Sequence, residues 1–261
     1  MQPISSSARL LLALAFSCIV GCFVIQRNFQ LSAIYSTVPS LSRLPSASHH
    51  QIYMNGPSHG NDYAIRCATL VDVSSIVSCT NDAYVADAFF KKRDYHDRFT
   101  EEDVRGMIAA PDSVFIVAEC VNTLAVCGSL YLQWSTEIPD NISKKIRTVG
   151  KFSAVAVRQS HQKKGVGRLL VLATEKLIIK IANDSIDSKK ATALSTSNDD
   201  PLGAAAVLTM GVINLREELF PWYQSQGYLI GEKMPWDAEL ARILKEGYEH
   251  VHLINMQKTL L

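Results

Sequence analysis

Between Val155 and Leu170 the chain reads VAVRQSHQKKGVGRLL, and these residue types in this order suit the binding of a pyrophosphate. A strand ends at Arg158, a short polar turn follows, and a helix opens over Lys163–Val166. Gly165 and Gly167 remove side chains where backbone N–H groups have to come close to a ligand. A helix N-terminus offers unpaired N–H groups and the positive end of its dipole, and both favour an anion. Lys163, Lys164 and Arg168 add positive charge beside it. No G-x-x-x-x-G-K-[ST] occurs, which excludes a nucleotide-triphosphate loop, and Leu170 stands where a dinucleotide fingerprint needs its third glycine. Taken alone, the stretch is equally compatible with an ordinary helix start bearing a solvated basic face.

The elements that must position this stretch are legible from Tyr63 onward. YAIRCATL alternates around Ile65 and Cys67 as a first strand, and Asp72 is placed to cap a helix carrying Val73, Ile76 and Val77 towards Tyr84. Thr100, followed by Glu101, Glu102 and Asp103, starts a second helix that Pro111 ends. Ser113–Val121 and Leu124–Trp134 read as strands joined by a tight hairpin at Asn122–Thr123, with a polar loop at 135–150 and a strand at Lys151–Arg158. Gly165–Ala182 is the clearest helix, with Leu169, Leu170, Leu172, Ala173, Leu177 and Ile181 on a broad apolar face. Asn183–Gly203 reads as a long polar loop, Ala205–Ile213 as a buried strand, and Asn214 with Glu217 as a capping box into REELFPWYQSQ. Closing strands are expected near Tyr228–Lys233 and His250–Lys258, with a helix near Asp237–Lys245 between them. The fold class is therefore α/β of the α+β type, a mixed, mainly antiparallel central sheet with helices on both faces.

With that element order, the chain resembles the GNAT superfamily of N-acetyltransferases. QKKGVG at 162–167 fits the family's Q/R-x-x-G-x-G/A after a strand and before a long helix. Some way further on, Tyr223-Gln-Ser-Gln-Gly227-Tyr228 fits its Y-x-x-x-G-F/Y. The resemblance covers about 200 residues, from Tyr63 to Leu260. It implies a GNAT-like domain at 61–261 that transfers an acetyl group from acetyl-CoA directly to a primary amine: a small amine, an amino acid or a protein amine. The alternative is a non-catalytic acyl-CoA-binding or sensing module. Acetyl-CoA would serve as co-substrate, without a metal. The resemblance places the pantetheine arm along Val155, Ala156 and Val157. It places the pyrophosphate on Gln162, Lys163, Lys164, Gly165, Val166, Gly167 and Arg168. It sets Tyr223 at the thioester sulfur as proton donor to the departing thiolate.

One departure concerns the last motif helix, where many members carry an Asn and this chain has Arg216; Asn214, two residues earlier, reads as a cap instead. For the general base, Glu119 at the end of a central strand is the best candidate, ahead of Glu217 and Glu218, which also suit a helix N-terminus. Trp134, Trp222, Tyr84 and Phe90 are candidates to line an acceptor pocket, although core packing is the commoner fate of each.

Composition bounds the rest. The 261 residues are 48% hydrophobic and 20% charged, enough for a packed core, and a net charge of +1 gives no support for nucleic-acid binding driven by bulk charge. Residues 1–60 hold no Asp or Glu and only Arg9, Arg27 and Arg43, an acid-poor, Ser-rich composition typical of targeting segments. Leu10–Ile25 is an uninterrupted apolar or small run, about 24 Å long as a helix against a hydrocarbon core of roughly 30 Å. It reads as a short membrane anchor, with a signal peptide, an organelle transit segment, or a start at Met54 as alternatives. Residues 26–60 read as a linker. The expectation is a membrane-anchored protein. The six cysteines form no C-x-x-C pair and read as free thiols, which leaves no zinc site.

Overall fold

The computed structural model describes residues 62–137, 145–193, 203–234 and 242–261. The stretch 1–60, with its apolar run and linker, lies outside the described residues.

Among the described residues, seven strands form one sheet: β1 (Tyr63–Cys67), β2 (Ser113–Cys120), β3 (Val126–Glu137), β4 (Lys145–Val157), β5 (Gly203–Ile213), β6 (Leu229–Met234) and β7 (Leu253–Thr259). Their spatial order is β1-β2-β3-β4-β5-β7-β6. Every neighbouring pair is antiparallel except β4 and β5, which run parallel. Among the described residues, the faces are covered by the α-helices α1 (Val73–Tyr84), α2 (Glu101–Ala109), α3 (Val166–Ala193) and α4 (Leu219–Gln224). This is the mixed, mainly antiparallel sheet with helices on both faces that the sequence pattern implies.

Strand β2 shows why the sheet must be covered on both sides. Phe115, Ile116, Val117 and Ala118 are all fully buried, and in a strand successive side chains point to opposite faces. Phe115 and Val117 join Val73, Ile76, Val104 and Met107 on the side of α1 and α2. Ile116 and Ala118 join Val166, Leu170, Val171 and Ile178 of α3 on the other. Helix α2 starts at its expected cap: Thr100 accepts from the Asp103 N–H at 3.2 Å, and the Asp103 carboxylate accepts from the Thr100 N–H at 2.8 Å. Asp72 precedes α1 but makes no side-chain cap on it; its carboxylate accepts instead from Arg66 and from the Thr69 N–H, each at 2.8 Å.

Several boundaries differ from the sequence pattern, each for a physical reason. The stretch 135–150 is not a loop throughout. β3 continues to Glu137 and β4 begins at Lys145, paired from Trp134↔Gly150 to Glu137↔Arg147. Its inward residues are Ile146, Thr148 and Gly150, of which only one is strongly apolar, so the period of two is faint in the sequence. Helix α3 runs past Ala182 to Ala193, so most of the expected loop after it is helix. Its later turns are polar and carry a Lys180–Asp184 pair at 3.7 Å rather than an apolar face. The β2–β3 turn is wider than two residues, with the N–H groups of Thr123 and Leu124 both returning to the Cys120 carbonyl and Leu124 at φ +56°.

Asn214 caps no helix. Its N–H donates to the His252 carbonyl and its Oδ1 accepts from the His252 N–H, both at 2.9 Å, so it stitches the end of β5 to the approach of β7. Helix α4 starts at Leu219, with Pro221 in its first turn, where a missing N–H breaks no intrahelical bond. Of the helix expected near Asp237–Lys245, residues up to 241 lie outside the described residues. Beyond them Ile243 and Leu244 are buried against Phe90.

The expectation of a membrane-anchored, transmembrane chain is corrected: no helix among the described residues is long and apolar enough to cross a membrane. Even α3, 28 residues long, carries charge along its length from Arg168 to Asp187. The run 10–25 itself lies outside the described residues.

Candidate functional site

Strands β4 and β5 pair from Lys145↔Gly203 to Lys151↔Thr209 and then part. On its other edge β4 carries one extra residue, because Ala156 lies opposite Ser129 but Ser153 lies opposite Tyr131. This bulge holds Ala154 at φ +52°, a left-handed conformation that a non-glycine residue adopts only under constraint. Beyond the split, the edges of Phe152–Val157 and Met210–Ile213 that would face one another are not paired with each other. Backbone N–H and C=O groups in such a gap need partners, from water or from a ligand. A cleft of about 510 Å³ opens there, lined by β4, β5, the 161–168 segment, α4 and the end of α1.

One mouth of the cleft is the turn into α3. Residues 159–161 form a single helical turn, with the His161 N–H on the Arg158 carbonyl at 2.8 Å. The Gln162 side chain donates to the Val157 carbonyl at 3.0 Å and holds the loop against the strand end. Lys163 at φ +58° and Gly165 at φ +83° then reverse the chain. The first helical bond runs from the Leu169 N–H to the Gly165 carbonyl at 3.0 Å, so the amides of the opening turn have no carbonyl one turn back. The two glycines serve differently. Gly165 supplies the positive φ in open space, whereas a Cβ on Gly167 would sit 3.4 Å from the Trp222 ring.

Deeper in, Tyr223 is buried at 6% exposure, with its ring 4.6 Å from Trp222, 6.1 Å from Phe152 and 5.9 Å from Tyr228. Burial pushes its phenol well above the ordinary tyrosine value, Tyr84 adds to the rise, and Arg216 opposes it. Tyr223 therefore carries its proton at neutral pH, and it lines the cleft.

The opposite wall comes from the far face of the sheet. Tyr84 and Asp87 follow from α1, and Arg98 and Arg216 complete that end. Asp87 is 2% exposed and accepts from Arg216 Nη1 at 3.0 Å, with Lys91 Nζ 3.6 Å from its other oxygen. Arg216 Nε donates to Glu218 at 2.6 Å. The Arg98 guanidinium lies over the Tyr84 ring, 5.4 Å from its centroid. Because α1 and α3 pack on opposite faces of the sheet, the gap between β4 and β5 is open to both.

Of the residues singled out in the sequence, the structure brings Val155, Val157, Gln162, Lys163, Gly165, Val166, Gly167, Arg168 and Tyr223 to this cleft, together with Trp222 and Tyr84. Lys164 and Ala156 are not on its wall; Ala156 is 1% exposed and packed into the sheet. Glu119 is not brought to the cleft either. It sits on β2 beside β1, where its Oε2 accepts from Arg66 Nη2 at 2.7 Å and from Nε at 3.1 Å. The same guanidinium grips Asp72 at 2.8 Å. That guanidinium ties down the residue expected to act as base. Phe90 is buried in a separate cluster with Ile243 and Leu244, and Trp134 packs on the α3 side of the sheet.

Asp87 and Arg98 reach the cleft without having been singled out in the sequence, and Glu218, a weaker candidate for the base, also lines it. Asp87 and Lys91 left one signal, an i,i+4 charge pair inside the apolar run ADAFFKK, which fits burial better than a solvated face. Among the described residues no three His, Cys, Asp or Glu are placed to hold a metal ion. Cys67, Cys79, Cys120 and Cys127 are free thiols.

No protein-family model matches the sequence, and no curated protein matches it. Solved structures do align. A GCN5-related N-acetyltransferase from Kribbella flavida is 19% identical, covering 76% of this chain and 97% of its own, with a TM-score of 0.44. The PaiA N-acetyltransferase of Thermoplasma acidophilum, solved with coenzyme A, is 14% identical over 76% and 99%, with a TM-score of 0.46. An acetyltransferase of the GNAT family from Streptococcus pneumoniae is 14% identical over 77% and 100%, with a TM-score of 0.44. At such identity and score, no residue role passes from them to this chain.

Proposed function

We propose that the cleft at the β4–β5 split binds acetyl-CoA or a close acyl-CoA, and that the 61–261 unit transfers the acyl group directly to a primary amine. One observation carries this reading. Two strand edges with unpaired amide groups lead from a helix N-terminus to a buried, protonated tyrosine. A pantetheine arm is an extended chain with two amides, suited to the open edge of Phe152–Val157, on which the Val157 carbonyl already accepts from Gln162. The pyrophosphate suits the opening turn of α3, with Gln162, Lys163, Gly165, Val166, Gly167 and Arg168 around it.

In the transfer step, the neutral amine nitrogen attacks the thioester carbonyl carbon, and the carbon–sulfur bond breaks as the tetrahedral oxyanion collapses. Tyr223 donates its phenolic proton to the departing sulfur. The proton released by the new amide nitrogen passes to solvent and restores the phenol, so the products are the N-acyl amine and the CoA thiol.

The second reading, a non-catalytic acyl-CoA-binding module, has an observation in its favour. Among the described residues, the carboxylates on the cleft wall, Asp87 and Glu218, are both engaged by Arg216, and Glu119 is outside. The geometry speaks more directly to acyl-CoA binding, which both readings share, than to transfer. Calorimetric titration of the full chain with acetyl-CoA and with desulfo-CoA tests binding; micromolar affinity for both is expected. Thiol release from acetyl-CoA, followed with and without added amines, then separates the readings. Amine-dependent release is expected for the transferase, and binding without release would establish the module. A folded chain that binds neither compound would overturn both.

A further inference from the structure

The turn that leads into α3 is held from the far edge of the sheet. After β4 the chain folds over the end of β3, with the Arg158 N–H on the Cys127 carbonyl and Arg158 Nε on the Val126 carbonyl, both at 2.9 Å. The single turn 159–161 then brings the His161 ring to Tyr63, the first residue of β1 and 98 residues earlier in the chain. The two rings meet edge to face with 5.7 Å between centroids, and the Tyr63 hydroxyl lies 3.1 Å from His161 Nδ1. Tyr63 packs on the α3 side of the sheet, and His161 lines the cleft beside Gln162, Lys163 and Gly165. The imidazole is therefore fixed at one nitrogen, next to the opening turn of α3, and its Nε2 makes no hydrogen bond among the described residues.

Resting on the reading that the cleft binds acyl-CoA, we infer that His161 Nε2 donates a hydrogen bond to a pyrophosphate oxygen, and that Tyr63 is the positioning residue that sets the ring and its tautomer. A neutral imidazole carries one N–H, and the partner on one nitrogen decides which of the two holds it. The Tyr63 phenol keeps its proton at neutral pH, because burial raises it above the ordinary tyrosine value and Cys127, Cys120 and Asp62 add to the rise. That O–H donates to Nδ1, which leaves the ring hydrogen on Nε2. When the ring takes a second proton, Nδ1–H donates to the Tyr63 oxygen and Nε2–H remains. In both states the side chain offers a donor to an anion, beside the backbone amides of the helix start. Lys163 and Arg168 reach the same end of the cleft on long, rotatable stems. The imidazole, fixed by a ring contact and a hydrogen bond, loses less freedom when the ligand arrives.

The test uses the full chain and titrates it calorimetrically with acetyl-CoA and with 3′-dephospho-acetyl-CoA, which keeps the pyrophosphate and lacks the other phosphate. His161→Ala is expected to weaken both by about tenfold or more, the loss of one hydrogen bond to a charged group. His161→Gln, whose amide can donate from near the Nε2 position, is expected to recover part of that loss. Nitrogen NMR of the histidine side chains, with the ring neutral, reads the tautomer directly. The wild type should carry the hydrogen on Nε2, and the Nε2 resonance should move when acetyl-CoA is added. Tyr63→Phe keeps the ring contact, and it should mix the two tautomers and weaken binding by about a few-fold. Unchanged affinity in His161→Ala would overturn the inference, as would a hydrogen on Nδ1 in the neutral wild type. So would a loss confined to acetyl-CoA itself, which would place the donor at the 3′-phosphate. A wild type that binds neither compound fails the acyl-CoA reading, whereas binding that ignores His161→Ala removes this inference alone. Should His161→Ala fold poorly, the Nε2 resonance of the unaltered chain still decides.

Discussion

Lys151 and Thr209 are the last residues of β4 and β5 to pair, and the cleft opens at the next residue of each strand. The Thr209 hydroxyl donates to the Gly150 carbonyl at 3.2 Å just before the split. Gly150 itself lies where a Cβ would come within 2.7 Å of both Ile178 and Leu208, so α3 sits directly on the closed part of the ladder.

Gly150→Ala therefore forces two fully buried side chains aside. The expected outcome is a loss of roughly 1–3 kcal/mol of stability from overpacking, measured by denaturant unfolding. Unchanged stability would show that α3 yields freely over the split.

Tyr223→Phe removes the proposed acid while keeping the ring among Trp222, Phe152 and Tyr228. A fall in turnover of about 10²–10⁴-fold is expected, with acetyl-CoA affinity within a few-fold by calorimetry. Because burial raises this phenol above its ordinary value, the wild-type rate should show no alkaline loss from Tyr223 below about pH 10. A pH–rate profile with such a loss near neutrality would place the proton donor elsewhere.

Gly165→Ala puts a Cβ into open space but at φ +83°. The left-handed conformation should cost about 1–2 kcal/mol, seen as a lower Tm. Acetyl-CoA binding should weaken along with it, as the turn that presents the opening amides of α3 relaxes. A loss of stability with affinity intact would separate the turn from the pyrophosphate.

Lys91 is 2% exposed, and burial lowers its ammonium to about 8 from 10.5, with Asp87 opposing the fall and Arg98 adding to it. Below about pH 8 the folded chain keeps a buried charge that the unfolded chain hydrates, so folding bears the full penalty. Between about pH 8 and 10.5 the unfolded lysine still holds its proton while the folded one has lost it, so stability rises with pH across that window. The difference is roughly 3 kcal/mol. Unfolding free energies of wild type and Lys91→Met at pH 7 and pH 9.5 check this; the wild type should gain on the variant as pH rises. Parallel curves would show that Asp87 and the surrounding groups compensate the charge fully.

The local signals carried far into the fold. Thr100 and Asp103 name a helix start because a capping box is closed by residues three apart, and β2 reads as a strand because both faces of its sheet are apolar. The 162–167 turn was legible for the same reason: glycine placement and helix-start chemistry are properties of neighbouring residues. Strand β4 before Lys151 was not, because Ile146, Thr148 and Gly150 make a weak alternation, and only pairing with β3 and β5 shows that they face inward. Asn214 with Glu217 looked like a cap, and the approach of His252, 38 residues on, decided otherwise.

By itself the sequence determined the order of elements, the packed α/β core and the phosphate-suited turn, since these depend on propensity, period and contacts within a few residues. Tertiary structure alone decided where β4 and β5 part, that Glu119 belongs to Arg66, and that Asp87, Arg98 and Arg216 meet across the cleft from Tyr223. Those outcomes depend on long-range pairing and on which charges share a desolvated space. No spacing along the chain encodes either.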